Sequence, residues 1–97
     1  MVTDIDKDFY SRADAIIHLA NDQLSDMSRG KVSASCMYAV CRFNAWVTAC
    51  GHASVEDMAA AKEETIEYFT KQYRSMLEEN MDDYIENFSK HTQPHEA

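Results

Sequence analysis

Asp14, His18 and Asp22 stand four residues apart, the spacing that lines two carboxylates and an imidazole along one helix face, where such ligands could meet a metal ion. A metal site needs ligands from more than one element. This stripe lies opposite the apolar residues of its own segment, so a solvated face is the preferred reading. Glu63, Glu64 and Glu67 suggest the carboxylates of a di-iron bundle, but the Glu-x-x-His pairs of such centres are missing. Cys50 and His52 offer a thiol beside a base. The thiol falls at a predicted helix C-terminus, where the negative end of the dipole disfavours a thiolate, so Cys50 reads as structural. Cys36 and Cys41 read the same way, as packed free cysteines. No catalytic residue, metal ligand set or cofactor is expected, and an enzyme ranks last among the function classes.

Arg29, Gly30 and Lys31 precede a predicted helix, whose exposed N–H groups could attract an anion. They do not form a phosphate loop: Ser25 stands where the first glycine belongs, and Val32 where Ser or Thr should follow the lysine. Arg42 and Asn44 interrupt an otherwise apolar stretch. Their structural reading has Arg42 meeting a carboxylate of a neighbouring helix or subunit, since a buried guanidinium must be paired, and Asn44 satisfying backbone or side-chain groups. Their alternative reading is a pocket for a small anionic ligand, lined by Tyr38, Arg42, Asn44 and Trp46. Met81, Tyr84, Ile85 and Phe88 have the spacing of helix-in-groove anchors. Intramolecular packing, self-association and a foreign partner compete for them, in that order.

The elements that carry these residues are helices. Two glycines and one proline, Pro94, are too few to punctuate several strands. Phe9, Ala13, Ile16, Ile17, Ala20, Leu24 and Met27 recur at helical spacing, which predicts a first helix over about 6–27, capped by Asp4 or Asp6. A turn at Ser28, Arg29, Gly30 and Lys31 leads into a second helix that ends at Cys50, with Gly51 expected as a left-handed cap. Between Lys31 and Cys50 the only charges are Lys31 and Arg42, so this helix is expected to be central and buried on several sides. Ser54 and Asp57 resemble a capping box opening a third helix. Unbroken from 55 to 88, it would span about 51 Å. Its apolar stripe shifts by about 80° between the Ile66–Leu77 part and the Met81–Phe88 part, so a break near Asn80 is expected. The expected fold is an all-α bundle of three long helices, the third kinked or broken into a fourth. It forms one domain over 1–97, ordered over about 6–88, with a flexible tail at 89–97.

Ninety-seven residues can bury a real but marginal core. The net charge is −8, unevenly placed: residues 1–50 hold six acids against five bases, and residues 51–97 hold eleven against four. Such a field repels phosphate backbones and anionic membranes, so nucleic acid and membrane are not expected partners, while a basic protein is compatible. The longest apolar stretch is broken by Arg42 and Asn44 and does not suggest a membrane span. Cys36 and Cys50 would be about 21 Å apart along a helix, beyond disulfide reach, which fits reduced thiols and a cytoplasmic location.

The runs FYSRADAIIHLANDQ at 9–23, RGKVSASCMYAVCRFNAWV at 29–47 and KEETIEYFTKQYRSMLEENMDDYIENF at 62–88 together resemble a family of small proteobacterial proteins classed as a domain of unknown function. The resemblance implies a compact helical cytoplasmic protein and brings no established activity or site residue. The resulting expectation is a small acidic interaction or self-associating module, with a homodimer favoured.

Overall fold

The computed structural model describes residues 5–92, and every regular element among them is a helix. Helix α1 spans Phe9–Gln23, α2 Arg29–Cys50, α3 Val55–Ala60, α4 Lys62–Glu86 and α5 Phe88–Thr92. The all-α class holds. The count differs from the expected three because the segment opening at Val55 is cut at Ala61 and again at Asn87. By contacts the described chain divides into two units, residues 5–61 with α1, α2 and α3, and residues 62–92 with α4 and α5.

In the first unit, side chains set the helix boundaries. Asp8 is the N-cap residue of α1 but its side chain makes no capping bond. Asp6 instead accepts from the Asp8 N–H at 2.9 Å and pairs with Arg12 Nη2 at 2.9 Å, tying the entering chain to the first turn. Asp4, the other expected cap, lies outside the described residues. Helix α1 stops at Gln23, short of the expected Met27, where Leu24 N–H turns back to Asn21 O and Ser25 Oγ donates to Asp22 O. Ser28 Oγ accepts from Lys31 N–H at 3.4 Å, so Arg29 and Gly30 are the first residues of α2 and not a turn. Gly51 does follow the last residue of α2. Its φ of −88° is right-handed, however, so the expected left-handed cap is replaced by Gly51 N–H bonding to Thr48 O. Ser54 Oγ accepts from Asp57 N–H at 3.1 Å and opens α3, with Glu56 and Asp57 complementing the positive end of the dipole.

In the second unit, α4 runs unbroken through Asn80, whose Nδ2 donates to Met76 O at 2.8 Å. The expected break near Asn80 is absent because the shifting stripe is two faces superimposed. At 100° per residue, Ile66, Tyr73, Leu77, Met81 and Tyr84 share one line within about 80°. Phe69 and Met76 belong to a second, half-buried line with Thr65 and Gln72. The interruption comes at Asn87, whose Nδ2 donates to Asp83 Oδ1 at 2.9 Å. Helix α5 then carries residues 88–92, so the first part of the expected tail is helical; 93–97 lie outside the described residues.

Burial departs most from expectation. Val32, 5% exposed, is the only buried residue among the described ones. Helix α1 contacts α2, yet Met37, Val40, Phe43, Trp46 and Val47 of the supposedly buried α2 remain 46–61% exposed. A helix apolar nearly all round needs neighbours on several sides.

Three outcomes follow from these local contacts. A Cβ at Gly30 would meet nothing within 4 Å, so Gly30→Ala should raise stability by about 0.5–1 kcal/mol. Ser54→Ala should lower it by about 1 kcal/mol through the lost cap; denaturant melts at fixed protein concentration measure both. The hydrogen bond from Arg12, with help from the Asp8 N–H, holds the Asp6 carboxyl below its ordinary 3.8. A lowered folded value means that the pair stabilises above the unfolded value and loses that contribution as pH falls through the folded one. An NMR titration of Asp6 should therefore show a midpoint below 3.8, and Arg12→Ala should return it upward.

Candidate functional site

Alternation of apolar and charged residues along α4 leaves Ile66, Tyr73, Leu77, Met81 and Tyr84 on one side of a helix of 25 residues, with each of the five side chains about half exposed. Ile85 and Phe88 widen the stripe at its end and are exposed by about two thirds. The four residues expected as an interface, Met81, Tyr84, Ile85 and Phe88, are thus all uncovered. They continue a longer line that runs back to Ile66. Thr70, Tyr73, Arg74, Leu77, Glu78, Met81 and Asp82 border an open hollow of about 550 Å³ on this side of α4.

Charge around the stripe is lopsided. Helix α4 holds eight acids against three bases. Lys71 faces Glu67 at 3.7 Å and Arg74 faces Glu78 at 3.4 Å, exposed pairs that contribute little. The last turn of α4 has no base, so Asp83 and Glu86 sit at the negative end of the helix dipole. One partner comes from α5: His91 Nε2 lies 3.1 Å from Asp83 Oδ2, forming an ion pair when the imidazole is protonated. The same ring stacks on Tyr84 with centroids 4.0 Å apart and planes 22° from parallel. This Asp83, Tyr84, Asn87 and His91 cluster orients the end of the stripe. Sequence reasoning missed it because residues seven and eight apart meet only once the interruption at Asn87 is known.

On α2, Tyr38, Arg42 and Trp46 form a line at spacing four, and all three are exposed. Asn44 is half-buried and stands about 200° around the helix from Arg42. The structure therefore brings three of the four expected ligand residues onto one face and leaves Asn44 off it. Phe43 touches Trp46, with ring centroids 5.8 Å apart. Arg42 has no ion pair among the described residues. Thr48 Oγ1 donates to Asn44 O at 2.8 Å, and the His52 ring bonds through Nδ1 to Thr48 O at 2.8 Å. A carbonyl only accepts, so Nδ1 carries the proton and His52 serves as a C-terminal cap of α2.

The remaining candidates are dispersed. Asp14, His18 and Asp22 are exposed on α1, and no group of three or more His, Cys, Asp or Glu side chains among the described residues is arranged to hold a metal ion. Cys36, Cys41 and Cys50 are free thiols, the first half-buried and the others exposed. Arg29 and Lys31 lie exposed in the first turn of α2, where Ser28 already accepts from Lys31 N–H. No described helix is long and apolar enough to cross a membrane.

The chain is similar to a solved protein, NB7890A from a Shewanella species, whose NMR structure superposes with a TM-score of 0.74 at 41% sequence identity, covering 95% of this chain and 100% of that one. Among curated proteins, none matches. Residues 9–85, from the start of α1 almost to the end of α4, match the family described as "Protein of unknown function (DUF3144)", and the chain belongs to that family.

Proposed function

We propose that this chain is a small acidic protein-interaction module whose contact surface is the apolar stripe of α4 and α5, centred on Leu77, Met81, Tyr84 and Phe88. The observation that carries the reading is the exposure of these side chains together with a single buried residue, Val32, among the described ones. Monomeric soluble proteins rarely leave contiguous apolar patches of this extent uncovered. The stripe presents anchors at Leu77, Met81, Tyr84 and Phe88, the i, i+4, i+7, i+11 pattern by which an amphipathic helix enters a groove. Its acidic border favours a mate that brings positive charge and disfavours nucleic acid.

Sedimentation velocity across a hundredfold concentration range tests this directly. The wild-type chain is expected to exceed the monomer mass, and Tyr84→Ala with Phe88→Ala should shift the equilibrium toward monomer while helix content by circular dichroism is kept. An unchanged mass distribution for the double variant would place the stripe outside any contact.

A further inference from the structure

Where α5 meets α4, two contacts converge on one titratable ring. In a straight helix, residues seven and eight apart would be separated by about 10 and 12 Å along the axis. The interruption at Asn87 instead brings His91 Nε2 within 3.1 Å of Asp83 Oδ2 and stacks its ring on Tyr84, with centroids 4.0 Å apart. Asn87 Nδ2 donates to Asp83 Oδ1 at 2.9 Å, so the carboxylate is held at both oxygens. The His91 side chain is only 26% exposed, against 49% for Asp83.

A carboxylate only accepts, so Nε2 carries a proton in either charge state of the ring. What leaves as pH rises is the Nδ1 proton, and with it the charge. A charge-assisted hydrogen bond is roughly twice as strong as a neutral one, and the C-terminal end of α4 favours a cation. We propose that α5 is a pH-sensitive latch: protonated His91, paired with Asp83, holds α5 against the end of α4 over the Tyr84 ring, and loss of the proton loosens it. From α4 the imidazole meets the Asp83 carboxylate and the Tyr84 ring, with neutral Asn87 bound to the same carboxylate. Glu79, Asp82 and Glu86 on that helix make no ion pair among the described residues and add negative charge of the same sign, while Lys90, the neighbouring base on α5, opposes it. Acid strong enough to protonate Asp83 loosens the latch as well. The device goes beyond the interaction reading and does not depend on it, because every contact lies within residues 83–92. Its consequence for the stripe is local: the face of Tyr84 beneath the imidazole opens when α5 loosens.

Solvent-exchange NMR of the full chain tests the latch. The His91 N–H bonds to Asn87 O at 3.1 Å, so its protection, relative to an unstructured chain at the same pH, follows the closed-to-open ratio of α5. Between about pH 5 and 8, where imidazole changes charge, that protection should fall by roughly two- to fivefold, the factor set by one partly exposed ion pair. Nuclear Overhauser contacts between the Tyr84 and His91 rings should weaken with it. Asp83→Asn should show the lower protection already at the acid end, and His91→Lys, which keeps a cation in place of the imidazole, should remove the pH dependence. Unchanged resonances of α1 to α3 and of the first turns of α4 show that the variants fold. Wild-type protection that is absent or constant over this range, or a pH dependence that survives in Asp83→Asn, would overturn the latch. A fall that vanishes when the protein is diluted belongs to association between chains and overturns it too.

Discussion

Apolar helix surface in this protein outruns the cover available within each unit, and most other features answer to that constraint. Fixing a residue's backbone costs on the order of 1–2 kcal/mol, and the offset comes chiefly from apolar area removed from water. Here Val32 alone is buried among the described residues, while α2 and α4 keep large side chains about half exposed. Hydrogen bonding within helices satisfies the backbone but adds little net stability. Anything that covered these faces in the native state alone would add to stability by mass action.

Local chemistry fixes where helices begin and end, independently of that missing cover. Ser28 and Ser54 each accept a backbone N–H from three residues ahead. Thr48, His52 and Asn87 occupy carbonyls near helix ends or interruptions. The two serine caps satisfy N–H groups that helix N-termini leave unpaired, whether or not the sides of the helix are covered, while His52 and Asn87 add second bonds to carbonyls that already accept the Gly51 and Asn87 N–H groups. This explains how a chain with so little buried side-chain surface still shows sharply defined helices.

Legibility in the sequence followed the same division. Helix class, the cap at Ser54 and the end of α2 at Cys50 were readable because capping and periodicity are properties of short windows. Gly51 was misjudged as a left-handed position because glycine after a helix is common there, whereas the bond to Thr48 O needs only right-handed backbone. Asn80 was misjudged because averaging apolar positions over a long helix merged an exposed line with a half-buried one. The burial of α2 was inferred from hydrophobicity alone. Composition records which surface wants cover, but it does not record whether the cover comes from the same polypeptide. The exposed anchors Met81, Tyr84, Ile85 and Phe88 were visible as a pattern; the His91 stack beside them depends on an interruption at Asn87 that no spacing rule marks.

The interhelix contacts resolved within each unit join chain neighbours, α1 with α2 and α4 with α5. Contacts of short sequence separation require little loop closure, so they form on the microsecond to millisecond scale of helical proteins. The helices and their nearest pairings thus form while much apolar side-chain surface is still exposed, and the net charge of −8 supplies a colloidal repulsion between chains in that state.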